Sequence, residues 1–137
     1  MTYIVFDAPS ADEAYAEAPE FGAEATAVTK LVQELEPGHR PAFCPPVTAA
    51  EQREVLLRLA AVDDRRWWTT REDGDLEAAR DSAGRLMAHD LEYGDEVAGV
   101  YPPGSVEWRG GPDAGRAYLR QEYLVWLTGV AVDPVDG

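Results

Sequence analysis

The sequence predicts an α+β domain, rich in helices and completed by a small antiparallel sheet. Three observations lead to it. Ser10 with Glu13 and Thr48 with Glu51 have the spacing of capping boxes. Long stretches on either side of the centre carry apolar residues at helical period. Short apolar runs punctuated by Pro and Gly read as strands. A mainly α fold is the alternative. These patterns allow about five helices in one domain covering residues 1–137, a length that supports a single core.

In chain order, residues 3–6 (Tyr-Ile-Val-Phe) read as a buried strand stopped by Asp7 and Pro9. Ser10 then opens a short helix from Ala11 to about Ala18, and Pro19 and Gly22 break it. A second helix is expected from Glu24 to Glu36, with Val28, Leu31, Val32 and Leu35 on one face. Pro37-Gly38 ends it. Residues 39–47 hold three prolines and the only cysteine, which predicts an ordered or extended loop. Thr48 opens the central helix, with Leu56, Leu59 and Val62 at helical spacing and an end near Asp63 and Asp64. Adjacent tryptophans cannot share a face of a helix or a strand. Followed by Thr69 and Thr70, Trp67 and Trp68 therefore predict a short strand with one ring buried and the other near the surface.

Asp73-Gly74 marks a turn, and Asp75 is expected to cap a long helix to about Tyr93, closed by a left-handed Gly94. Its inward residues would be Leu76, Ala79, Ala83, Leu86 and Met87. Residues 97–101 and 106–109 predict a hairpin through Pro102, Pro103, Gly104 and Ser105. Pro112 suits the first turn of a last helix and Gly129 its end. That helix is apolar on most sides over its second half, which predicts a core position. The expected buried set includes Leu56, Leu59, Leu86, Tyr123, Leu124 and Leu127.

The formal net charge is −14 and is unevenly placed: −7 over residues 1–38, +1 over 39–70, −6 over 71–96 and −2 over 97–137. Such a charge disfavours free nucleic acid and anionic membrane surfaces as partners. The opening residues lack the basic start and apolar run of a signal peptide. The most apolar segment, residues 123–132, is about half of what a membrane span needs. One cysteine excludes an internal disulfide and suggests a reducing, cytoplasmic setting.

Chemistry-bearing constellations are sparse. His39 and Cys44 share the proline-rich loop, yet nothing around them resembles an oxyanion site, so Cys44 reads as a small packed hydrophobe. His89, beside Asp90 on a helix, reads as a surface or boundary residue. Zinc spacings are absent. A calcium loop begun at Asp73 would use Asp75 and Glu77, then meets Ala78 where Gly is needed and Gly84 where Glu is needed. Gly110-Gly111 matches no phosphate-binding motif, and Asp7 lacks a second carboxylate at a fixed offset. The sequence thus assigns no catalytic residue, no metal ligand and no cofactor.

Two classes of function follow. The first is a small acidic protein that acts by protein–protein interaction on a basic partner, as an inhibitor, immunity protein or antitoxin does. Its expected partner-binding residues are Glu72, Asp73, Asp75, Glu77 and Asp81, with Glu13, Glu17, Glu20 and Glu24 as second choice. Trp68, beside Arg65 and Arg66, would add an aromatic anchor. A homodimer is compatible with the same pattern. The second class is a small enzyme or ligand-binding domain with a pocket walled by aromatics drawn from Trp67, Trp68, Tyr101, Trp108, Tyr118, Tyr123 and Trp126.

Overall fold

The computed structural model describes residues 9–36, 46–94, 97, 99, 102–105, 108, 111 and 113–129. Its elements are α1 (Ala11–Tyr15), α2 (Phe21–Leu35), α3 (Ala49–Thr70), α4 (Asp73–Glu92) and α5 (Ala114–Thr128). No strand occurs among the described residues, so the fold is mainly α and the expected α+β class is corrected. Of the expected strands, residues 3–6 lie outside the described residues, as do His39 and Cys44. In the expected hairpin, Pro102 and Ser105 close a turn whose N–H···O distance is 3.0 Å, and Trp108 Nε1 donates to the Pro102 carbonyl. Most of its two strands, residues 98, 100, 101, 106, 107 and 109, lies outside the described residues, and residues 103–105 form a turn.

Both capping boxes form. Ser10 Oγ accepts from the Glu13 amide, Thr48 Oγ1 accepts from the Glu51 amide, and each glutamate reaches back to its cap amide. Helix α2 begins three residues before its expected start, at Phe21. Glu20 takes the cap position, and its carboxylate accepts from the amides of Gly22 and Ala23. Helix α4 begins at Asp73 behind Glu72, not behind Asp75, and ends at Tyr93 without the left-handed Gly94 that was expected. Gly129 does close α5, with φ of 72°, the left-handed geometry that glycine adopts freely.

The largest correction concerns α3. The helix continues past Asp63 and Asp64 and carries Trp67 and Trp68 to its last turn. A helix separates neighbouring side chains by about 100°, which partitions the two rings as a strand would, one partly covered and one exposed. Continuation is possible because Asp64 is buried against cations of α5, and Asp63 accepts from Ser82 of α4 and Arg66. Those partners remove the polarity that would otherwise favour ending the helix.

Helices α3 and α4 form the closest-packed pair, joined by Arg71 and Glu72, and α5 lies against both. The core gathers Leu57, Ala60 and Ala61 of α3, Ala83 and Leu86 of α4, and Tyr118, Leu119 and Tyr123 of α5, with Trp108 closing one end. Alanines on the facing surfaces let the backbones approach, and the tyrosines fill the remaining volume. Helix α5 is buried on most sides, as its composition predicts. Leu86 and Tyr123 are buried as expected, whereas Leu56, Leu59, Leu124 and Leu127 are only half-buried. The fully buried leucine of α3 is Leu57.

Candidate functional site

The buried stripe of α3 starts and ends on a charge, Arg53 and Asp64, with Leu57, Ala60 and Ala61 between them. Each end organises an ionic cluster. At the first, Arg53 Nε donates to Asp90 Oδ1 at 2.8 Å, and Nη2 donates to Asp90 Oδ2 at 2.9 Å and to Glu122 Oε1 at 2.8 Å. Tyr118 Oη donates to Asp90 at 2.6 Å, and Glu122 Oε2 accepts from the Gly99 amide and Gln121 Nε2. At the second, Asp64 accepts from Arg116 Nε at 2.9 Å, from Arg120 Nε at 2.8 Å and Nη2 at 3.0 Å, and from Tyr15 Oη at 2.6 Å. Between them, Arg58 forks onto Glu24 at 3.0 and 3.2 Å.

Among the described residues four arginines thus face four carboxylates, Asp64, Asp90, Glu122 and Glu24, and the charges of these clusters cancel. Burial pushes the Tyr118 hydroxyl upward, and its hydrogen bond to Asp90 adds to the rise. Tyr15 is raised by burial and then by Asp64. Burial, with Glu24 nearby, pushes Tyr123 up to about 12, against the pull of Arg65 and Arg58. At the protein surface, Asp113 is held down at about 2 by hydrogen bonds from Arg80 first and Arg116 second.

The anticipated acidic residues sit at the start of α4. Glu72, Asp73, Glu77 and Asp81 are exposed, and among the described residues none has a cation within ion-pair distance. Asp73, Glu77 and Asp81 follow one another at four-residue steps and therefore share a helix face. Asp75 differs, since it is half-buried and accepts from Thr70 Oγ1. From the second-choice set, Glu24 is lost to the interior, where it pairs with Arg58.

Trp68 belongs to a different surface. It is 40% exposed and meets Trp67 edge-on at 5.3 Å. The Arg71 guanidinium lies 4.0 Å from the Trp68 ring centre and 4.6 Å from that of Trp67, and Arg120 lies 5.6 Å from Trp68. Trp68 forms one wall of a cleft of about 450 Å³ between α1, the start of α2 and the end of α3. Tyr15, Phe21, Arg65, Asp12 and Thr69 also line it. An aromatic cleft therefore exists, but of the rings expected to wall one, only Trp68 takes part. Trp108, Tyr118 and Tyr123 are in the core, and Tyr101 lies outside the described residues. Tyr15 and Phe21 were missed. Tyr15 ends α1 and Phe21 opens α2, and neither belongs to an aromatic-rich run that would draw notice.

Among the described residues, no group of three His, Cys, Asp or Glu side chains could hold a metal ion, and no helix is long and apolar enough to cross a membrane. His89 is largely covered, and its Nδ1 lies 3.5 Å from Asp90 Oδ1. Comparison of the chain with family models, curated proteins and solved structures gives no match.

Proposed function

We propose that this chain acts by protein–protein association, presenting Glu72, Asp73, Asp75, Glu77 and Asp81 of α4 to a basic partner, in the manner of an inhibitor, immunity protein or antitoxin. One observation carries the reading. Among the described residues the buried arginines and carboxylates pair off, so the excess negative charge of the described residues is carried by side chains outside the buried clusters. Fields of that kind accelerate encounter with a cationic surface and fix its orientation. The unpaired stripe on α4 supplies such a field without first breaking an ion pair. The single cysteine supports a reducing, cytoplasmic setting for the encounter.

The experiment is a triple variant, Asp73→Asn with Glu77→Gln and Asp81→Asn. Wild type and variant are each used to capture proteins from native lysate at low and at high salt, and association rates are then measured with the retained basic protein. Wild type should retain it at low salt only, and the variant should associate several-fold more slowly with little change in dissociation. Equal association rates at low salt would remove the stripe from the interface.

A further inference from the structure

We propose that the cleft walled by Tyr15, Phe21 and Trp68 is a binding site for a planar, negatively charged small molecule, an aromatic carboxylate by class. It is separate from the acidic stripe and does not depend on it. The first support is how the arginines are held. This chain has 26 carboxylates to 12 basic side chains, so arginines without a carboxylate partner are unexpected. Among the described residues Arg65, Arg71 and Arg85 have none within ion-pair distance; Arg65 lines the cleft, where Asp12 is the one acidic wall residue, and Arg71 stacks on its Trp68 wall. Arg65 lies 5.7 Å from the Tyr15 ring centre and 5.6 Å from that of Phe21, and Arg66 lies 5.7 Å from Phe21. Arg71 covers Trp68. Because the wall rings already carry guanidinium groups, a cationic guest would meet like charge, and an anionic one would meet attraction.

The second support is an unmet donor. Arg65 Nη2 donates to the Pro19 carbonyl at 2.9 Å, while Nη1 is buried with no acceptor. A buried unsatisfied nitrogen on a charged group is costly, and an acceptor reaching it, whether water or a ligand, relieves that cost. A carboxylate is the acceptor that matches a guanidinium in charge and planarity. Arg71 closes α3 in the left-handed conformation of a helix cap, with φ of 56° and its N–H donating to the Trp67 carbonyl, and its guanidinium lies over both tryptophans. The cleft volume lies within the range that holds a one- or two-ring ligand. Trp68 is the most exposed of the three rings that wall the cleft.

The test uses the full chain with naphthoate, naphthamide and inorganic phosphate as probes, followed by isothermal calorimetry and ligand-observed NMR. Naphthoate should bind, and naphthamide and phosphate should each bind at least about tenfold more weakly, the loss expected for one charge-assisted hydrogen bond or for the ring stacking. Arg65→Gln and Trp68→Ala should each weaken naphthoate by a similar factor, and Arg85→Gln, away from the cleft, should leave it unchanged. The naphthoate–naphthamide comparison on wild type stands even if Arg65→Gln does not fold. No naphthoate binding, as when ordered water alone satisfies Arg65, would overturn the proposal. So would equal affinity for the acid and the amide, or naphthoate binding that Arg85→Gln abolishes.

Discussion

Asp64 shows most directly how a single residue acts in this protein. Its carboxylate is fully buried and accepts from Arg116, Arg120 and Tyr15 at once. Removing one member of a buried ionic group is far more damaging than never having had the group, because the partners keep their desolvation cost. Asp64→Asn leaves two guanidinium groups facing a neutral amide. It should lower stability by about 3–5 kcal/mol in urea unfolding. A loss below about 1 kcal/mol would mean that water reaches the cluster and screens it. Arg58 and Glu24 form a milder case, because Arg58 also has Glu54 at 3.6 Å and lies closer to solvent.

At the scale of the element, α3 decides the architecture. Its apolar spacing suggests one face, Leu56, Leu59 and Val62, of which only Val62 is buried, and the helix packs on Arg53, Leu57, Ala60, Ala61, Val62 and Asp64. The rotation follows from what α4 and α5 offer. Asp90 and Glu122 wait for a cation at one end of the stripe, and Arg116 and Arg120 wait for an anion at the other. Aligning the charges brings Leu57 between them. Leu57→Ala should therefore cost on the order of 2–5 kcal/mol, and Leu59→Ala less than half of that. Chemical denaturation of the two variants decides between the faces, and equal losses would mean that Leu59 carries as much of the packing as Leu57.

For the whole molecule, the separation of a neutral ionic interior from an acidic exterior predicts an unusual salt response. Exposed like charges repel, and salt screens them within a Debye length of about 10 Å at 0.1 M. Buried pairs are screened much less. Raising salt from low to physiological strength should therefore increase the melting temperature. Calorimetric scans across a salt series measure it, and a falling melting temperature would show that the interior pairs, not surface repulsion, respond to salt. The same separation makes the two proposed sites independent. The stripe on α4 works through excess negative charge, and the cleft works through the few arginines that this charge has not claimed.

The sequence by itself determined the helix starts at Ser10 and Thr48 and the end at Gly129, and it placed α5 in the core. A cap is made by residues three apart, and a left-handed glycine needs only its own backbone, so both are legible along the chain. It also identified the acidic start of α4, because charge density needs no partner to be seen. Tertiary structure alone decided that Trp67 and Trp68 end a helix, that Arg53 and Asp64 are interior residues, and that Tyr15 and Phe21 meet Trp68 across a cleft. Arg53 finds Asp90 and Glu122 at separations of 37 and 69 residues, and Asp64 finds Arg120 at 56. Read locally, a charge in an apolar stripe marks a helix end or an outer face. Only when a distant helix supplies the opposite charge does burial become favourable, and the apolar stripe then extends through it.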